Sequence, residues 1–245
     1  MNTAENLNQM RLLKMPGMAR TYEAILKEPI HQRPEGDELL ATLLQAELLN
    51  RQNQRMQMLL RLSMLRQQAG IEQIICSPTR NLTKQTLSAL SDCSFIERAE
   101  NIVITAATGG GKTYLACALG HQACILGHKT LYQNMTRFIE RVTLAKVEGT
   151  FVKLLNHLDK IKLLILDDFG LQPMDHNTKL ALLQILEDRY GNKSIIIASQ
   201  LPIDKWYEYI NEPTIADAIL DRLSANVHKI ELKGESLRRK TAVKK

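Results

Sequence analysis

The chain has 245 residues, 44% of them hydrophobic and 24% charged, with a formal net charge of +6. That is enough for one good-sized core and a smaller accessory segment, and the composition excludes fibrous, low-complexity and disulfide-scaffold classes. No apolar run approaches a membrane span, and the N-terminus lacks a basic region followed by an apolar one, so a cytoplasmic protein with no membrane partner is expected.

Residues 1–68 read as a small all-helical domain. Leu12, Leu13, Met15 and Met18 precede a helical stretch from Ala19 to Lys27 that ends at Pro29. Asp37 is placed to cap a long helix from Glu38 to Gln68, apolar at Leu39, Leu40, Leu43, Leu44, Leu48 and Leu49. Arg51, Arg55, Arg61 and Arg66 lie on its other face with few carboxylates after Glu47. Such a face is either solvated or shaped for DNA or a partner protein. Residues 69–82, with Gly70, Ser77, Pro78 and Asn81, read as a linker, and 83–233 as the main domain. The cysteines, Cys76, Cys93, Cys117 and Cys124, show neither C-x-x-C nor zinc spacing, so buried thiols are expected.

Ile102 to Thr105 is a β-branched run. It enters Thr108, Gly109, Gly110 and Gly111, and an apolar helix follows from Lys112 through Cys117 to Leu126. Strand, glycine loop and helix closing on Gly-Lys-Thr make a P-loop, because glycines let backbone N–H groups converge on a phosphate at a helix N-terminus. Thr108, Gly109, Gly110, Gly111, Lys112, Thr113 and Tyr114 are therefore assigned to ATP. Lys112 is expected on the β- and γ-phosphates and the Thr113 hydroxyl on Mg²⁺. Ala106 stands where the pattern has its first glycine, which is tolerable at negative φ and costly at positive φ.

Lys129 to Gln133 reads as a second strand. Met135 to Val147 follows as a helix with Arg137, Arg141 and Lys146, then a helical piece from Phe151 to Leu158 with Lys153. From Lys162, four large aliphatics ending in Asp167 and Asp168 describe a strand buried on both faces with acids at its C-terminal edge, where open α/β sheets bind ligands. Asp167 fits the acid that holds Mg²⁺, usually through water, and Asp168 is placed to polarise the attacking water. Thr178 to Tyr190 is an amphipathic helix, and Ser194 to Ala198 a fourth strand ending in Ser199 and Gln200. Those two either sense the γ-phosphate or cap the strand. Ala216 to Leu223 is a helix bearing Arg222, and Val227 to Leu232 a fifth strand. The fold class is α/β: a P-loop domain with an open, mostly parallel five-stranded sheet and no large C-terminal lid, preceded by the helical domain.

Gly109 to Ala116, Leu164 to Gly170, Ala198 to Pro202, Pro213 to Leu223 and Ile230 to Arg238 together resemble the AAA+ initiator and helicase-loader group. Most closely they resemble the IstB-like transposition-helper ATPases of bacterial insertion sequences, whose opening segment Leu12 to Ala19 also resembles. The resemblance implies an ATPase that binds duplex DNA without sequence specificity, forms a homo-oligomer, and recruits or stimulates a partner transposase. It places Arg222 at the arginine-finger position and Arg238 at the sensor-2 position, making 234–245 a sensor-2-like segment with a basic tail. Arg51, Arg55, Arg137, Arg141, Lys146 and Lys153 are the candidate DNA contacts. A helicase loader of the same fold, and an ATP-binding DNA scaffold with little hydrolysis, are the alternatives.

Overall fold

The structure, a computed structural model, describes residues 3–224 and 226–237. The chain divides into two compact units between Met58 and Leu59, earlier than the expected boundary at residue 68.

The first unit holds α1 (Thr3–Leu12), α2 (Pro16–Lys27) and most of α3 (Gly36–Ser63). Proline occupies the first turn of α2, where its missing N–H costs nothing. Asp37 lies inside the first turn of α3 rather than at its cap, a position the helix dipole still favours. The two helices meet at the Pro-Gly step. Glu47 of α3, 6% exposed, accepts hydrogen bonds from the backbone N–H of Gly17 (2.8 Å) and Met18 (3.3 Å), so a carboxylate from one helix satisfies the positive end of the other. A Cβ on Gly17 would lie 2.7 Å from the Ala46 carbonyl oxygen and 2.8 Å from the Glu47 Cα, so only glycine permits the approach. The Arg51 guanidinium completes the arrangement by donating to the other Glu47 oxygen at 2.8 Å.

In the second unit five parallel strands form one sheet: β1 (Asn101–Ala106), β2 (Thr130–Asn134), β3 (Leu163–Phe169), β4 (Ser194–Ser199) and β5 (Val227–Leu232), in the order β2-β3-β4-β1-β5. The aliphatic runs are continuous because both faces are covered. Ile102, Ile104, Leu163, Ile165 and Ile196 pack against α4 (Lys84–Ser91), α5 (Ser94–Glu97) and α6 (Lys112–Ile125). Val103, Leu164, Leu166, Ile195 and Ile197 pack against α7 (Met135–Val147), α8 (Phe151–Asp159), α9 (His176–Arg189), α10 (Trp206–Ile210) and α11 (Pro213–Ser224). Cys93, Cys117 and Cys124 are buried free thiols, and Cys76 is half-buried. Among the described residues no helix is long and apolar enough to cross a membrane.

Two features depart from the periodicity. Helix α3 stops at Ser63 instead of reaching Gln68. Met64 turns left-handed (φ 54°), and the chain leaves the helix so that Leu65 and Ala69 join the α6-side core. Arg189, 3% exposed, donates to four backbone carbonyls, those of Leu158, Ile161, Lys162 and Ser194. Burial pushes its guanidinium down to about 10, and the four acceptors compensate the buried charge while tying α8 and β4 to the end of α9.

Burial alone would raise the Glu47 carboxyl, but the bonds from Arg51, Met18 and Gly17 outweigh it and hold the group below the usual carboxylate range. A carboxyl depressed on folding adds stability above its unfolded value and loses that contribution as pH falls through the folded one. Amide exchange on the full chain should therefore show protection at Gly17 and Met18 held through the usual carboxylate range and lost as pH falls below it. Glu47→Gln should have lower protection at neutral pH and no such step. A wild-type profile as flat as the variant's would contradict the capping role.

Candidate nucleotide-binding site

Strand β1 delivers the chain to the C-terminal edge of the sheet, and α6 begins at Lys112 after a turn with positive φ at Gly109 (81°) and Gly111 (92°). The amides at the N-terminus of a 14-residue helix thus converge where an anion would sit. Ala106 is not among the residues with positive φ. Its methyl is accommodated by Gly110, on which a Cβ would lie 2.8 Å from the Ala106 Cβ. The substitution in the P-loop pattern is thereby sterically matched.

The sheet order puts β4 between β1 and β3, so Ser199 and Gln200 emerge between the P-loop and the acids. The Gln200 Oε1 accepts from the Thr108 hydroxyl at 2.7 Å, joining the P-loop to the end of β4. Ser199 is fully buried. Its hydroxyl donates to the Phe169 carbonyl (2.7 Å) and accepts from the Leu201 N–H (2.9 Å), the geometry of a strand-end cap.

Asp167 is fully buried, with one oxygen accepting from the Tyr132 hydroxyl (2.7 Å) and the other from the Asp168 N–H (2.9 Å). Burial first, and then Asp167 itself, push the Tyr132 phenol well above its ordinary value, so it remains a donor. At Asp168 the pairing of β3 with β4 is irregular. The β3–β4 register shifts between Leu166 and Phe169, and Asp168 takes a left-handed conformation (φ 58°). Its carboxylate then lies 3.7 Å from the Lys112 Nζ, accepts from the Asn134 side-chain amide at 2.8 Å, and stands 3.5 Å from the Arg66 guanidinium. Lys112 is 6% exposed, a buried cation with one carboxylate in reach and room for phosphate charge. The Thr113 hydroxyl and the Asp167 carboxylate are hard oxygen donors that suit a hydrated Mg²⁺. Both Asp167 oxygens already accept one hydrogen bond, which favours contact through the ion's water.

Residues 69–82 carry more than a linker. They contain two short turns of 3₁₀ helix, Ile71–Gln73 and Pro78–Arg80, and they wall a cavity of about 590 Å³ that opens onto Gly109, Gly111, Lys112 and Thr113. Ile74, Ile75, Leu82, Leu232 and Leu237 supply apolar surface for a nucleoside base. Tyr114, assigned to ATP with the P-loop, hydrogen-bonds through its hydroxyl to Gln73 in the same cavity. Arg80 donates to the Gly110 carbonyl at 2.7 Å, and the Leu237 N–H donates to the Gly109 carbonyl at 3.0 Å, so the chain after β5 returns across the loop. The sequence signal for this wall was the run Ile71, Ile74, Ile75 inside an otherwise turn-rich stretch. Arg238, expected at the sensor-2 position, lies outside the described residues.

Arg222 sits at the opposite edge of the sheet. Its carbonyl accepts from the side chain of Asn101, the first residue of β1 (3.3 Å), and its guanidinium pairs with Glu187 (3.0 Å) and Asp221 and lies 5.0 Å from the Tyr190 ring. At about 3.3 Å per strand residue, the length of β1 separates it from its own P-loop. Of the candidate DNA contacts, Arg51 is held by Glu47. The Lys146 ammonium donates to the Asn177 carbonyl (2.8 Å) and covers the Phe151 ring. Arg55 and Arg137 are exposed, and Arg141 lines a shallow cavity with Lys153 and His157. Burial, then the nearby charges of Arg141, Lys129 and Lys160, hold His157 below its ordinary value, and Glu148 lines the same cavity.

The P-loop, the two acids on β3, the polar end of β4 and the all-parallel sheet define a P-loop ATP-binding domain of the AAA+ type. The chain belongs to the family of IstB-like ATP binding proteins, whose profile matches residues 8–245. It is 40% identical over 233 residues to the insertion sequence ATP-binding protein y4pL of Sinorhizobium fredii, covering 95% of each chain. Its fold is shared with DnaI (TM-score 0.58, 17% identity, 68% of this chain and 92% of that one). It is also shared with AMPPCP-bound DnaA from Aquifex aeolicus (TM-score 0.57, 22% identity, 73% and 54%).

A Cβ at Gly111 would combine positive φ with a contact of 3.0 Å to the Arg80 guanidinium, whereas Gly127 has positive φ and nothing within 4 Å. Both alanine variants should lose about 1–2 kcal/mol of stability. Only Gly111→Ala should weaken ATP binding, by about tenfold or more, in a titration with a fluorescent nucleotide. Equal affinities for the two variants would contradict the assignment of the loop.

Proposed function

We propose that the chain hydrolyses ATP with Mg²⁺ at this site, that hydrolysis is switched by assembly of copies on duplex DNA, and that the assembly recruits or stimulates a partner transposase. One observation carries the assembly switch: Arg222 stands at the N-terminal edge of the sheet, away from its own P-loop, on a prepared platform of Glu187 and Tyr190. A guanidinium there stabilises transition-state charge only on a neighbouring copy. Within one copy, Lys112 and the Gly109–Thr113 amides bind the phosphates. Thr113 and Asp167 would hold a Mg²⁺ ion, which would supply neutralising charge to the phosphates. Asp168 accepts the proton of the attacking water, and Gln200 orients polar groups between the P-loop and that water.

The DNA and transposase parts are supported by the name and near-full-length coverage of the insertion-sequence relative and by Arg141 and Lys153 beside the exposed Arg137 on α7 and α8. The helicase-loader reading has only the fold likeness behind it. Contacts through Arg137, Arg141 and Lys153 would be to phosphates, hence indifferent to sequence and steeply salt-dependent.

Steady-state ATP turnover measured across protein concentration, with and without long duplex DNA, should rise with both and vanish in Asp168→Asn while nucleotide binding persists. Turnover that stays flat beside intact ATP-dependent DNA binding would replace the switch with a scaffold.

A further inference from the structure

We infer that Gln73 and Tyr114 are the base-reading pair of the nucleotide site, presenting a donor beside an acceptor in the order that adenine, and not a 6-oxopurine, completes. The inference rests on the nucleotide binding argued above and adds the choice of base to it. The 590 Å³ cavity beside the P-loop is apolar at Ile74, Ile75, Leu82, Leu232 and Leu237. An apolar slot holds any purine, so discrimination falls to the few polar groups in it. Arg80 is turned to the Gly110 carbonyl, which leaves Gln67, Gln73 and Tyr114 as the polar side chains away from the phosphate loop. The Gln67 side-chain oxygen is buried without a hydrogen-bond partner, closed off from a ligand in the cavity. Gln73 is exposed to it and Tyr114 half-buried.

The backbone sets the polarity of the pair. Gln73 closes the 3₁₀ turn Ile71–Gln73, and its side-chain oxygen accepts from the Gly70 N–H at 3.3 Å. A backbone N–H only donates, so the amide must turn its oxygen toward Gly70. The same oxygen accepts from the Tyr114 hydroxyl. Both of its lone pairs are then engaged, and the Gln73 nitrogen, a donor only, is the group left for a ligand. Tyr114 has committed its single proton to Gln73, so its oxygen is left as an acceptor. The ring is fixed as well, because Tyr114 packs with Ile71 and Ile74 against the core on the α6 side. In adenine the exocyclic amine is a donor with ring-nitrogen acceptors beside it, which matches the Tyr114 Oη and the Gln73 Nε2. A 6-oxopurine brings a carbonyl oxygen where the amine was, and acceptor meets acceptor. Turning the Tyr114 hydroxyl toward that carbonyl would break its bond to Gln73.

The test displaces a fluorescent ATP analogue from the full chain with ATP and with ITP, whose base differs from adenine by the 6-oxo group and the proton on N1. Wild type should favour ATP by about tenfold or more. Tyr114→Phe and Gln73→Met should each narrow that ratio to about threefold or less, while Gln67→Met keeps it. A ratio taken within one variant does not depend on how much of the sample is folded, and Tyr114→Phe preserves the ring that packs on α6. Equal wild-type affinities for ATP and ITP would overturn the base-reading pair and leave nucleotide binding standing. A wild-type ratio retained in both Tyr114→Phe and Gln73→Met, or lost in Gln67→Met, would place the selection elsewhere and overturn it too. If neither nucleotide displaces the probe, the site and the proposed function fall with it.

Discussion

The chemistry at the nucleotide edge depends on one break in regularity at the end of β3. Successive residues of a strand point to opposite faces, and a regular β3 would carry Asp167 and Asp168 apart. The register shift beyond Leu166, with Asp168 in the left-handed region, keeps both carboxylates at the edge. One turns inward to Tyr132 and the other across to Lys112 and Asn134. Such a conformation costs on the order of 1–3 kcal/mol unless the surroundings hold it, and three polar partners do. Aspartate is among the few residues that enter this region readily, because its short side chain bonds locally. The residue type thus answers to the backbone as well as to the reaction.

The same parallel sheet separates the two halves of the proposed reaction. Parallel strands put every C-terminal end on one edge, so the P-loop, the acids and Gln200 converge there by topology. The starts of β1 and β4 lie at the other edge, with Arg222 beside them. Arg189 fixes that edge by gathering four carbonyls, which holds Glu187 and Tyr190 where they support Arg222. In the proposed reaction, these two edges of one sheet are contributed to a site by different copies.

Much of this was legible in the sequence because it is local. The glycine loop between a β-branched run and an apolar helix, and aliphatic runs ending in acids, identify the strands and their edge without long-range information. The five expected strands are all present. What was not legible depends on contacts distant in the chain. The helical periodicity of α3 continues to Gln68, yet Leu65 and Ala69 are taken by the α6-side core and the helix stops at Ser63. Arg51 looks like a free cation until Glu47 is seen facing Gly17. Ser199 and Gln200 are adjacent and equally polar. Only the placement of Phe169 and Thr108 assigns one to capping and the other to the P-loop. The residues walling the base cavity come from a stretch whose turn residues mask its apolar ones.

The central claim is that a site is completed by its neighbour, and subunit mixing tests it most directly. Lys112→Ala removes phosphate binding but retains Arg222, while Arg222→Ala retains the P-loop and lacks the finger. Each variant alone should be nearly inactive with ATP and duplex DNA. A mixture of the two should recover turnover, because Arg222 from one copy then faces an intact P-loop on another. Full activity of Arg222→Ala by itself, or a mixture no more active than its components, would contradict the account.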